Sequence, residues 1–313
     1  MISTLLRPTL LLLCLSSAPL GFAQSPVSSS SLQGIVDEAV RVTLAEFSTH
    51  SLKADQLAVT LVDLRDPARP VQASARGDMP IYPASVIKLF YLAAAHRWME
   101  DGRLADTPEL RRAMRDMIVD SSNDATHYVV DLLTGTTSGP ELSDAEIAGW
   151  FDKREAVSRY FAGLGYKNVI ANKKPWGDGP YGRESQAIRM FEPKRNMLST
   201  EATARLFVEI ANGRCVSAAR STQMLELLAR DPATKVADPD DQAKFTGPAL
   251  PPGAKLWSKA GWTSTTRHDA ALVELASGAR YVLVTFTTDH ASEREIIRAV
   301  AKSVFASLSK TAP

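Results

Sequence analysis

The sequence predicts a mixed α/β fold of the α+β kind: an antiparallel sheet flanked by terminal helices, with an all-helical lobe inserted and a cleft between the two parts. Three observations predict it. β-rich runs stand near both ends of the chain, at residues 57–64 and 71–76 and again at 254–262, 268–275 and 281–288. The stretch between them, roughly 85–240, repeats apolar residues mostly at helical spacing. Helical pattern also brackets the β runs from outside, at 32–47 and 292–308. With 313 residues, 45% hydrophobic and 23% charged, the chain has material for one large domain of two joined lobes.

Residues 1–23 read as a secretory signal. Arg7 supplies the positive charge, Leu10 to Leu15 an apolar run, and Gly21 and Ala23 the small residues before cleavage at Gln24. A retained anchor is the alternative, but the run is short of the ~20 apolar residues of a membrane span. Residues 24–31 are Ser-rich and read as a flexible lead; 32–313 read as one domain. In the first helix Ile35, Ala39, Val42, Leu44 and Phe47 recur at helical spacing. The first two β runs pair across the turn Asp66-Pro67-Ala68-Arg69-Pro70. Helices are expected at 85–100, 108–119, 124–133, 144–164, 200–212 and 217–229. Residues 172–184, with Pro175, Gly177, Gly179, Pro180 and Gly182, form a long loop of a kind that is often functional.

The formal charge of +1 gives no reason to expect nucleic acid or an acidic membrane surface as partner. After signal cleavage Cys215 stands alone, which excludes an internal disulfide and suits a buried small hydrophobe. The five histidines lack metal-ligand spacing, so neither metal nor cofactor is expected, and His268 reads as structural.

Ser85 and Lys88 lie three apart at the start of a strong helical pattern, just after Pro83, and so share a helix face. A serine hydroxyl is a weak nucleophile, and a lysine kept neutral by burial can take its proton. Ser-x-x-Lys alone is common. Two more motifs accompany it in order: Ser121-Ser122-Asn123 at a helix junction and Lys259-Ala260-Gly261 on a β run.

This trio resembles Ser-x-x-Lys, Ser-Asp-Asn and Lys-Thr-Gly of class A β-lactamases and penicillin-binding proteins, and the likeness extends from about Ser31 to Leu308. The resemblance implies roles. Ser85 attacks an amide carbonyl and is acylated. Lys88 takes or relays the proton, and Ser121 passes it to the leaving nitrogen. Asn123 orients the substrate amide. Lys259 attracts the substrate carboxylate, and the backbone N–H groups of Ser85 and of Trp262, after Gly261, form the oxyanion hole.

Three departures stand out. Ser122 replaces the family's aspartate. Ala260 lacks the threonine hydroxyl that binds a carboxylate, for which Thr263 or Ser264 could substitute, and Trp262 is bulky where the family has a small residue. Class A enzymes also carry a loop glutamate, with an asparagine four residues on, that activates the deacylating water. Counting back from Arg195-Asn196 lands on Glu184, but Ile188 stands four residues later. Glu184 is the expected base, with Glu192 and Asp178 as alternatives and a surface carboxylate as the plain reading.

The resemblance thus implies a periplasmic or secreted monomeric serine hydrolase that opens a β-lactam amide through an acyl-serine. The alternative is a D-alanyl-D-alanine peptidase, or related amidase, acting on peptidoglycan stem peptides. A non-enzymatic peptidoglycan-binding scaffold sits badly with an intact set of five polar site residues, and a serine glutaminase with the signal peptide. Ser85→Ala should abolish covalent labelling by any β-lactam the protein accepts; labelling that survives removes Ser85 as nucleophile.

Overall fold

The computed structural model describes residues 27–310, so the signal sequence expected at 1–23 lies outside the described residues. The elements in order are β1 (Val27–Ser28), α1 (Ser30–Glu46), β2 (Leu57–Asp63), β3 (Val71–Ala75), α2 (Lys88–Glu100), α3 (Pro108–Ile118), α4 (Asn123–Thr134), α5 (Asp144–Arg154), α6 (Ala156–Gly163) and β4 (Val169–Ile170). There follow α7 (Gly182–Met190), β5 (Met197–Leu198), α8 (Thr200–Ala211), α9 (Ala218–Leu228), β6 (Ala229–Arg230), β7 (Lys255–Trp262), β8 (Thr266–Glu274), β9 (Arg280–Thr288) and α10 (Glu295–Lys310).

The main sheet runs β1-β3-β2-β9-β8-β7-β6, antiparallel throughout except for β1, which joins β3 in parallel. Strand alternation divides its side chains between two cores. Ala58, Val62, Leu272, Val282, Val284 and Phe286 join the core that α2 and α8 build on one face. Val59, Leu61, Ala271, Val273, Tyr281 and Leu283 meet α1 and α10 on the other. With both faces covered, β8 and β9 are buried almost end to end. All helices from α2 to α9 lie between β3 and β7 in the chain.

The expected fold class is therefore the observed one, with local differences. The expected lead at 24–31 is partly structured, because Val27–Ser28 pair with Val71 and Gln72, and α1 starts at Ser30. The helix expected at 144–164 is two helices, divided at Glu155. The helix expected from Ser85 begins as a short 3-10 helix, Ala84–Ile87, before α2. Helix α7 was not foreseen, because the residues it buries are Glu184, Gln186 and Ala187, a mostly polar face without an apolar stripe.

The long segment between β4 and β5 is closed at its neck by one amide. Asn196 Oδ1 accepts from Asn172 N (3.1 Å) and Lys173 N (2.9 Å), and its Nδ2 donates to Lys173 O (2.8 Å). Tyr91 OH also donates to Lys173 O, at 2.7 Å, from α2. Asn196→Ala would leave buried backbone groups unpaired and should destabilise the fold by about 2–3 kcal/mol. Urea unfolding with an unchanged denaturant slope checks this.

Candidate active site

Ser85, the expected nucleophile, sits on a strained turn. Ala84, just before Ser85, has φ of 45°, a region L-residues rarely adopt and one that concentrates at functional sites. Ala84 opens the 3-10 helix Ala84–Ile87 that carries Ser85, and Lys88 follows as the first residue of α2. Two features of the sheet hold the turn. His268 on β8 accepts from Thr287 N at Nδ1 (3.1 Å), so its other nitrogen carries the proton and donates to Tyr82 O (2.9 Å). Burial lowers the pKa of this histidine to about 4, which keeps that neutral tautomer at ordinary pH. Across the ladder, Gly261 on β7 lies so close that a Cβ there would stand 2.7 Å from Ser85 N and 2.8 Å from Pro83 O and Val86 N. That close approach is the reason a glycine ends the Lys-x-Gly motif.

Lys88 is completely buried on the first turn of α2. Its Nζ donates to Ser121 O (2.6 Å) and Asn123 Oδ1 (2.8 Å) and lies 3.3 Å from Ser121 Oγ. Desolvation alone lowers its pKa to about 7. Ser121 has φ of 53°, a second strained non-glycine residue at the site. Ser122 is the N-cap of α4, its Oγ accepting from Ala125 N at 3.1 Å. Aspartate and serine cap helices comparably, so the change in the middle of this motif costs little. Asn123 then opens the helix beside Lys88.

Lys259 is equally buried on β7. Its Nζ meets Gln242 Oε1 (2.6 Å), Ala260 O (2.8 Å) and Ser121 Oγ (3.0 Å). Burial lowers its pKa most, followed by the charge of Lys88. Each lysine therefore has two carbonyl acceptors, which require two N–H groups, and Ser121 Oγ as third partner. A charged lysine fills that third position with an N–H; a neutral one offers a lone pair to the serine proton. The Ser121 hydroxyl can accept from one amine while donating to the other, which makes it a natural proton exchange point.

Strand register decides where the Trp262 N–H points. Thr263 N donates to Thr266 O (2.9 Å), so Thr263 and Thr266 form a hydrogen-bonded pair. The preceding pair, Trp262 and Arg267, is then of the other kind, with N–H groups turned away from the partner strand. Ala260, of the same parity, follows this rule: its N–H goes out to Gln242 Oε1 (3.3 Å). The Trp262 N–H thus emerges on the same open edge of β7. Its indole instead packs on Phe245, ring centroids 5.5 Å apart, in a small core with Ala260 and Ile297. The Thr263 hydroxyl closes the β7–β8 turn, accepting from Thr265 N and Thr266 N at 3.2 Å each.

Ser85, Lys88, Ser121, Asn123, Lys259, Gly261 and Trp262 are thus brought to one place, and Glu184 belongs to another. On α7 it is buried, paired with Arg154 Nη2, accepting from Ser138 Oγ (2.8 Å) and 3.6 Å from Lys174 Nζ. Arg154 and Lys174 also pair with Asp131, at 3.3 and 2.8 Å, which completes a cluster of two positive and two negative groups. Among the described residues, Glu184 makes no hydrogen bond or ion pair with Ser85, Lys88 or Ser121. Glu192 pairs with Lys194 and is mostly exposed, and Asp178 is exposed. Asn123, His127 and Asp131 form one stripe on α4. The loop follows that stripe, with Lys174 on Asp131, Pro175 O 2.6 Å from His127 Nε2, and Trp176 against the His127 ring. Sequence reading missed Gln242, Arg154 and the clamp made by His268; none belongs to a local motif. Cys215, as expected, is buried in the core, and burial raises its thiol pKa.

The low pKa of Lys88 has a stability cost with a definite sign. Between about 7 and 10.5 the unfolded chain binds a proton that the folded chain does not, so stability rises with pH across that window. Urea unfolding at several pH values should show this rise in the wild type and a shallower one in Lys88→Met. Equal slopes would mean that the amine is not desolvated.

The model of the β-lactamase enzyme family matches residues 40–308. No curated protein matches the chain. Among solved structures, the β-lactamase from Sphaerobacter thermophilus DSM 20745 has a TM-score of 0.62 at 18% identity, over 90% of this chain and 99% of that one. PBP-A gives 0.62 at 19% identity, over 92% and 99%. A variant of PBP-A, solved as an acyl-enzyme complex with penicillin G, gives the same values. A β-lactamase from Chitinophaga pinensis DSM 2588 gives 0.60 at 19%, over 88% and 99%. At such identities the structures speak for the fold, while the family match spans most of the chain. By that match, and with the fold those structures share, this chain belongs to the β-lactamase enzyme family.

Proposed function

We propose that the protein is an exported serine hydrolase that opens the amide of a β-lactam through an acyl-Ser85 intermediate. The observation that carries this reading is the convergence of two buried lysines on the Ser121 hydroxyl, beside a serine on a strained turn. Neutral Lys88 takes the Ser85 proton as Oγ bonds to the carbonyl carbon. The resulting oxyanion is received by the N–H groups of Ser85 and Trp262, donors of a kind worth ~10²–10³ in rate. The C–N bond then breaks, and the leaving nitrogen takes the Ser121 proton, which a lysine replaces. Water finally cleaves the ester. The named side chains supply the proton transfers of acylation, and no cofactor is called on.

A second reading, a penicillin-binding amidase that acts on the cell wall and turns over β-lactams slowly, is favoured by the placement of Glu184. Its carboxylate is held by Arg154 and Ser138, and the loop stretch against the α4 stripe, Lys174-Pro175-Trp176, carries no carboxylate. Acylation would then proceed without a built-in base for deacylation. The penicillin G adduct of the PBP-A variant gives this reading a structural neighbour.

A time course of intact mass with excess penicillin G separates the two. Both readings expect an adduct that Ser85→Ala lacks. A brief adduct with drug consumed supports the β-lactamase, and a lasting one with little drug consumed supports the penicillin-binding amidase. No adduct under any condition overturns both.

A further inference from the structure

One amide ties the lysine of the Lys-x-Gly motif to the helical lobe. Gln242 lies in a 3-10 turn, Gln242–Lys244, ahead of β7, and is 6% exposed. Its Nε2 donates to Ile118 O (2.8 Å) and Val119 O (2.7 Å), at the end of α3. Its Oε1 accepts from Lys259 Nζ (2.6 Å) and Ala260 N (3.3 Å). The orientation of the amide is fixed by these partners. A flip would set its oxygen against two carbonyls and its NH2 against a backbone N–H.

We propose that Gln242 is a positioning residue for acyl transfer: by engaging one N–H of Lys259 it fixes the amine on Ser121 Oγ and so orients the hydroxyl that serves the leaving nitrogen. This rests on the reading of Ser85 as an acylated nucleophile. The geometry is restrictive. Gln242 Oε1 and Ala260 O can only accept, so they occupy two N–H groups of Lys259 and direct its third position to Ser121, 3.0 Å away. Without Gln242, a long side chain would lose one of two anchors. A neutral amide also differs in kind from a carboxylate. A carboxylate at this point would hold the proton on Lys259, so that its third position stays a donor and Ser121 cannot give its proton there. The charged groups that act on Lys259 are Lys88 from α2, Arg230 from β6 and Asp269 from β8, and Asp241 is next to Gln242 in the chain.

The test uses Gln242→Met and Gln242→Glu in the mature protein, with two readouts. The first is the rate constant for acylation by penicillin G across pH, from quenched samples by mass spectrometry. The second needs no substrate: the Lys259 Nζ titration by NMR of protein carrying ¹⁵N-lysine, assigned by the signal lost in Lys259→Met. Gln242→Met should slow acylation ten-fold or more, the scale of a displaced catalytic group. Gln242→Glu should move the acid limb of the profile, and the Lys259 titration, upward by a unit or more. If Gln242→Met does not fold, Gln242→Glu carries the test. Variants that only melt at lower temperature, with the acylation profile and the Lys259 titration unmoved, would make Gln242 a mere tie between lobes and overturn the proposal. If penicillin G does not acylate the wild type, the functional reading fails, and the Lys259 titration in Gln242→Met, which adds no charge, decides whether Gln242 holds the amine: a shift sustains that hold and no shift overturns it.

Discussion

Two buried lysines and one half-buried hydroxyl set the terms for the rest of the site. Ammonium groups repel each other and are costly to desolvate, yet Lys88 and Lys259 both reach Ser121 Oγ, and among the described residues neither has a carboxylate partner at hydrogen-bond distance. Carbonyl and amide oxygens take that place: Ser121 O and Asn123 Oδ1 for one amine, Gln242 Oε1 and Ala260 O for the other. Such partners stabilise an N–H without holding a full charge on the nitrogen. Burial lowers the pKa of Lys88 to about 7 and that of Lys259 well below the ordinary lysine value.

The scaffold has to deliver these groups from four separated stretches of chain, and it does so with backbone rather than with flexible side chains. The sheet brings β7 against the nucleophile turn at Gly261, where any side chain would collide. His268 reaches over from β8 to tether Tyr82 just before that turn. The positive φ angles at Ala84 and Ser121 are held in place by this packing. Strain stored at two adjoining segments of one site is consistent with a structure built for chemistry at some expense of stability.

The long segment on the helical lobe is fixed by different means. Its neck is held by the Asn196 amide and its middle by the cluster of Asp131, Arg154, Lys174 and Glu184. Opposite charges in that cluster offset one another, and removing any one of them would leave a buried charge uncompensated. Because Glu184 is committed to this cluster, the segment is anchored by the same carboxylate that sequence counting offered as a base. The ion pair with Arg154 and the hydrogen bond from Ser138 engage that carboxylate within the helical lobe.

The sequence by itself determined the fold class and the candidate nucleophile with its nearest partners. Apolar periodicity is a local property, and so is the i, i+3 relation between Ser85 and Lys88, or the cap that Ser122 gives to α4. It could not place Glu184, because counting along a loop says nothing about which cation the loop meets, and the buried face of α7 is too polar to announce a helix. Nor could it find Gln242, which bonds to Ile118 more than a hundred residues away, and although His268 reads as structural, its hold on Tyr82, equally remote in the chain, was not legible. Only the tertiary structure decided those, since a buried donor takes whatever acceptor packing brings within 3 Å, and packing between β7, α3 and the nucleophile turn is set by the whole sheet.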